Sequence, residues 1–150
     1  MRLVIQRVRE AQVHVSGKTV GSIDHGLLIL LGIADDDNEE DALWLIHKML
    51  HMRIFNDEEG VMNRDLLEVA GGLLVISQFT LLAATKKGHR PSYIRAAKPE
   101  KAIPLYRFFI DQAQKLVPSK IAEGVFGADM QVQLVNDGPV TITIDSRNRE

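Results

Sequence analysis

Apolar residues alternate loosely along residues 2–16, at Leu3, Ile5, Val8, Val13 and Val15, which predicts a strand with a break near Glu10. Ser16-Gly17-Lys18 is a turn signal before Thr19–Ile23, so the two segments form a hairpin. Gly26–Ile33 is continuously apolar and predicts a strand covered on both faces, and Gly72–Phe79 predicts a second buried strand that stops at Thr80. Helical spacing of Ala42, Leu45, Ile46, Met49 and Leu50 predicts a first helix over 42–53. A second is expected over about 101–117, with Leu105, Phe108, Phe109, Gln112 and Leu116 on its apolar face and Pro104 in its first turn. Residues 130–135 and 140–144 alternate as two strands around Asn136-Asp137-Gly138-Pro139. The order is strand-rich, helix, strand, helix, strand-rich. It implies an α+β fold, a mainly antiparallel sheet or open barrel with helices packed outside.

Length and composition narrow the classes. A chain of 150 residues fits one domain, and 45% apolar with 25% charged residues suits a globular protein. There is no cysteine, so disulfides, thiol catalysis and cysteine-based zinc sites are excluded. Charged residues interrupt the N-terminal apolar run at once, so neither a secretory signal nor a membrane span is expected, and the cytoplasm is the expected location. A net charge of −2 argues against a protein that coats nucleic acid by bulk electrostatics, but a local basic patch gripping one RNA end remains compatible.

Charge is unevenly placed. Residues 35–41 carry six acids and lead into the first helix, where Asn38 and Asp41 are spaced as a cap pair. Residues 86–101 hold six cations against the single acid Glu100, a local charge of +5. Lys86, Lys87 and Arg90 in this loop suggest an anionic partner such as RNA phosphate, against the plainer reading of a solvated loop.

Candidate chemistry is sparse. His47 and His51 share a helical face, yet Lys48 stands where a metalloprotease motif needs Glu, and no third ligand is suggested. Ser77 and Thr80 are possible nucleophiles outside any Gly-x-Ser-x-Gly elbow, and none of the five histidines is placed as an obvious base. No phosphate loop is present. A buried strand ending in Ser77-Gln78-Phe79-Thr80 can aim its last backbone N–H groups into a cleft, where fixed donors suit a developing oxyanion. A plain strand end satisfies the same residues. Gly138-Pro139 marks a turn, edge or bulge.

Two segments carry a resemblance. Ser77-Gln78-Phe79-Thr80-Leu81 and Asn136-Asp137-Gly138-Pro139-Val140-Thr141 resemble the two signatures of the D-aminoacyl-tRNA deacylase family. Gln6-Arg7-Val8, Gly26-Leu27-Leu28, Arg53-Ile54-Phe55 and Lys87–Ser92 extend the likeness along nearly the whole chain. The resemblance implies hydrolysis of the ester that joins an amino acid to the 3′ end of tRNA, without a cofactor or metal. It implies that the Phe79 N–H and Gln78 stabilise the oxyanion and that Ser77 shapes the strand end. Water aided by the RNA 2′-hydroxyl would attack, rather than Thr80. It further implies a homodimer in which a cis Gly138–Pro139 segment, pinned by Arg7, reaches the partner's site and excludes L substrates. Glycyl-tRNA, lacking a side chain, would escape that filter. The residues alone leave other classes open: a non-catalytic RNA-end binder using the basic loop, a serine or threonine esterase, or, more distantly, a metal enzyme.

Overall fold

The loose alternation at the start becomes β1 (Arg2–Val15), a 14-residue strand that the computed structural model of residues 1–149 places at the middle of the sheet. A turn at Ser16-Gly17, both at positive φ, returns the chain as β2 (Lys18–Ile23), and β3 (Gly26–Gly32) follows. Both pair antiparallel with β1, β2 against its second half and β3 against its first. Helix α1 (Glu39–His51) then carries the chain to the short ribbon of β4 (Phe55–Asn56) and β5 (Met62–Arg64). Beyond it come β6 (Gly72–Ser77), a 3₁₀ turn at Phe79–Leu82, α2 (Pro99–Leu116), β7 (Ile121–Glu123) and β8 (Gln131–Asp145).

The sheet runs β2-β1-β3-β6-β7, with β8 along the other edge of β1. The expected sheet and outer helices are present, but the sheet is mixed: β6 pairs parallel to β3, and β7 parallel to β6. Each crossover through a helix returns the strand in the same direction, which a hairpin cannot do. The far edges nearly meet, since β2 approaches β7. A Cβ on Gly21 would sit 2.7 Å from the Glu123 carbonyl oxygen, so only glycine permits this approach.

The two continuous apolar runs have the predicted cause. Leu27, Ile29 and Leu31 of β3 and Leu73 and Val75 of β6 face the helices. Leu28, Leu74 and Ile76 point the other way, into a second cluster with Val8, Val13, Ile23 and Ala122. Both helices pack on the first face. Helix α1 buries Ala42, Leu45, Ile46, Met49 and Leu50, as its spacing predicts. It begins earlier than expected because Asn38 caps it and exchanges bonds with Asp41.

Helix α2 departs in two details. It starts at Pro99, in the first helical position, so Pro104 lies in the second turn, not the first. Its buried face is Ala102, Leu105, Tyr106, Phe109, Ile110 and Ala113, while Leu116 is exposed. Tyr106, whose hydroxyl donates to the Val75 carbonyl, takes a core position that apolar counting assigned to Phe108. The acid run is structural. Asp37 is buried, and its carboxylate accepts from the Met1 amino group (2.6 Å) and the Ala34 N–H (2.7 Å). Arg147 lies against Asp36, Asp37 and Asp41.

This knot at the chain ends titrates. Burial raises the Asp41 pKa, but bonds from Ser146 and the Asn38 backbone and the Arg147 charge outweigh it, so the net pKa is lowered. Asp145 behaves likewise through Arg2 and the Arg147 N–H. A depressed carboxylate contributes stability that is complete well above its ordinary value of 3.8 and is lost as pH falls through the lower native value. Urea unfolding should therefore show a steady loss of stability below about pH 4.5. Asp41→Asn should be less stable at pH 7 and flatten that acid limb.

Candidate active site

Strand β6 ends where its register with β3 ends, at the Leu31–Ser77 pair. The Gln78 N–H still donates to the Leu31 carbonyl (2.8 Å), and the backbone then turns out of the sheet with φ −143° and ψ 81° at Gln78. The 3₁₀ turn follows at once, and its first internal bond runs from the Leu81 N–H to the Gln78 carbonyl (3.3 Å). The N–H groups of Phe79 and Thr80 precede that bond and are not consumed by the turn. Gln78 Nε2 donates to Thr80 Oγ1, which fixes both side chains. Ser77, Gln78 and Phe79 line a cleft of about 300 Å³ whose other walls include Leu31, Ala97, Phe126 and Met130. The result is an apolar cleft with polar groups at one end.

No histidine is bonded to Ser77 or Thr80 among the described residues: His14 meets Thr19, His51 meets Asp65, and His25 packs on Phe55. The hydroxyls therefore lack the adjacent base that a serine or threonine nucleophile needs. The His47 and His51 rings meet at a tilt, 4.8 Å apart, on the exposed side of α1. Among the described residues no three His, Asp or Glu side chains are grouped to hold a metal ion.

The basic loop is hinged beside this cleft. Ala84 and Ser92 form an isolated bridge, so Lys86, Lys87 and Arg90 project on an exposed arc directly after the 3₁₀ turn. Tyr93, just past the arc, meets the Phe79 ring edge-on at 5.1 Å.

Gly138 and Pro139 lie elsewhere. They are part of neither the cleft wall nor the basic loop. The two expected strands 130–135 and 140–144 are one strand, β8, both halves of which pair with β1. Gln6 pairs with Thr141 and Val8 with Asn136, so residues 137–140 bulge out opposite Arg7. The break expected near Glu10 is absent: β1 runs through it unbroken, with only a second register shift against β8 between Val8 and Glu10. Arg7 is buried beneath it: Nε donates to the Asp137 carbonyl (2.8 Å) and Nη1 to the Ile54 carbonyl (2.6 Å). The Gly138–Pro139 peptide is cis, both residues are exposed, and Gly138 has φ +145°. A Cβ there would lie 2.7 Å from Val140 Cγ2 and 2.9 Å from its nitrogen, which excludes any other residue without rearrangement.

Sequence reasoning passed over Asn136. Its side chain accepts from the Val140 N–H (2.7 Å) and donates to the Val140 carbonyl (3.1 Å), closing the bulge in the manner of a backbone ladder. An Asn two residues before Gly-Pro, at the end of an alternating run, was the available signal.

Known proteins resemble this chain in sequence and fold. A family model described as D-Tyr-tRNA(Tyr) deacylase matches residues 4–145. The chain belongs to that family. A D-aminoacyl-tRNA deacylase of Akkermansia muciniphila is 57% identical over 150 residues, covering all of both chains. One from Cytophaga hutchinsonii is 58% identical, again over both full lengths. Among solved structures, a c-Myc DNA Unwinding Element Binding Protein superposes with a TM-score of 0.92 at 37% identity, covering 97% of this chain and 98% of that one. A probable eukaryotic D-amino acid tRNA deacylase shares the fold, with a TM-score of 0.79, 18% identity and 95% and 97% coverage.

Within this deacylase-family chain, removing Arg7 leaves the buried Ile54 carbonyl and the Asp137 carbonyl without their donor. Arg7→Leu should cost about 1–3 kcal/mol in urea unfolding. Exchange of the amide protons of Asp137, Gly138 and Val140 should rise more than that of β3.

Proposed function

We propose that this protein hydrolyses the ester of D-aminoacyl-tRNA, releasing the D-amino acid and free tRNA. Full-length membership in the deacylase family carries this reading, and the chemistry at Ser77–Thr80 fits it. An aminoacyl ester is already activated, so positioning and stabilisation of the tetrahedral oxyanion suffice for much of the rate. The Phe79 and Thr80 N–H groups supply fixed donors, with Gln78 beside them and Ser77 shaping the strand end. Water attacks, assisted by the RNA 2′-hydroxyl. The basic arc with Lys86, Lys87 and Arg90 meets phosphates of the RNA 3′ end. Location in the cytoplasm, where aminoacyl-tRNA is found, is part of the same reading.

Chirality is assigned to Gly138 and Pro139 of a second copy. In one chain these residues lie outside the cleft and project from a rigid bulge braced by Arg7 and Asn136. A two-fold homodimer with isologous contacts lets each bulge complete the other copy's cleft. There the two carbonyls hold the substrate ammonium and occupy the volume that an L side chain needs, a rejection by overlap. Glycyl-tRNA has no side chain to clash and passes the filter.

Matched D- and L-tyrosyl-tRNA provide the test. Rapid loss of the D ester alone is expected; equal loss of both removes the chiral role of Gly138–Pro139, and loss of neither removes the hydrolase. Phe79→Pro separates backbone from side chain. It deletes one N–H at the first position of the 3₁₀ turn, where proline's fixed φ suits the helical backbone. Turnover should fall about 10²–10³-fold, whereas Phe79→Leu and Thr80→Ala should retain most of it. Abolition by Thr80→Ala would instead indicate a covalent threonine mechanism.

A further inference from the structure

A second concavity, of about 950 Å³, lies between α1 and the C-terminal half of β8. It is larger than the cleft at Ser77 and has a different lining: Arg2, Trp44, His47, Lys48, His51 and Arg149 supply its polar and aromatic surface. Trp44, His47, Lys48 and His51 are spaced i, i+3, i+4 and i+7 and form one face of α1, a row about 10 Å long. The Trp44 ring carries two cations, the Arg149 guanidinium 4.3 Å and the Lys48 ammonium 5.9 Å from its centroid. Arg149 Nε is anchored to the Ser146 carbonyl (2.9 Å), so the guanidinium is held over the ring. Among the described residues, the only acid in the lining, Asp145, is engaged by Arg2 at 2.7 Å. Arg2 Nη1 also donates to the Leu81 carbonyl (2.9 Å), in the 3₁₀ turn that contains Phe79 and Thr80. The groove thus adjoins the 3₁₀ turn at Leu81, shares no lining residue with the cleft at Ser77, and has a cationic, aromatic floor.

We propose that this groove binds a stretch of the RNA strand distant from the ester, with Lys48 and Arg149 on phosphates and Trp44 as the platform between them. The proposal deepens the tRNA-deacylase reading and rests on it for the choice of RNA. Charge decides the occupant. A surplus of cations among the described lining residues, with Asp145 already paired, suits a polyanion in a chain that is otherwise net negative. A half-buried indole flanked by cations also matches the way single strands are held by stacking and electrostatics together.

Trp44 is the chain's single tryptophan, so its emission reports on the groove directly. Uncharged tRNA titrated into the full-length protein should change Trp44 emission saturably. Lys48→Glu with Arg149→Glu should weaken uncharged-tRNA binding about tenfold or more. The pair should also lower the slope of log K against log salt by between about 1 and 2, as expected for two lost phosphate contacts. Lys48→Arg with Arg149→Lys should restore the slope. Unchanged emission at saturating tRNA overturns the proposal, as does wild-type affinity in the charge-reversed variant. A variant that changes molecular mass at unchanged tRNA affinity also overturns it and assigns the groove to contact between copies. Failure of the deacylase reading is separable: wild-type protein that quenches with tRNA but leaves D-tyrosyl-tRNA intact loses the activity and keeps the groove.

Discussion

Pairing along both edges of β1 is the constraint on which the rest of the molecule depends. One edge holds β3 and β2 in succession, and the other holds β8 along nearly its whole length. A strand paired on both edges cannot accommodate extra residues in a neighbour except by expelling them. The surplus residues of β8 therefore leave as a bulge opposite Arg7, and the exposed Gly138–Pro139 segment is a consequence of sheet register. Arg7 converts that local defect into a rigid feature. It is a buried cation with donors satisfied by the Asp137 and Ile54 carbonyls, and it stays buried only while both segments remain in place.

The parallel pairing of β3 with β6 fixes the other functional element. A parallel strand needs a crossover, and α1 with the β4–β5 ribbon provides it, covering one sheet face on the way. The end of that pairing at Leu31–Ser77 is where the chain is free to turn. The 3₁₀ turn then follows beside a cleft whose apolar walls are continuous with the second core cluster, and the proposed function assigns its backbone N–H groups to the oxyanion. Low polarity around fixed dipoles strengthens them, which is why a strand end over an apolar floor suits oxyanion stabilisation better than a solvated loop does.

Charge is distributed by region along the chain. Asp36, Asp37 and Asp41 of the acid run are engaged by the Met1 amino group and Arg147, and Glu39, Glu40 and Asp41 occupy the first turn of α1, so these acids contribute structure. The cations of the basic arc and of the α1 groove remain on the surface, on segments that both adjoin the 3₁₀ turn. A protein with nearly balanced charge can in this way present a polyanion with a selective path and avoid general nucleic-acid affinity.

Periodicity by itself determined the elements: the hairpin, the two double-faced strands, the face of α1 and the Asn38–Asp41 cap were legible because each depends on neighbours within a few residues. Residue types in order likewise marked Ser77–Thr80 and Asn136–Thr141, and with them the family. Only the tertiary structure decided that the sheet is mixed, since β3 and β6 look alike whichever way they run. It merged two predicted strands into β8, because a partner strand can bridge a four-residue interruption that local pattern reads as an end. It placed Tyr106, not Phe108, in the core, where a carbonyl at Val75 satisfies the hydroxyl. It brought Trp44 and Arg149 together from distant parts of the chain, a contact that local pattern cannot contain because it exists only once α1 and the chain end are packed on the same edge of β8.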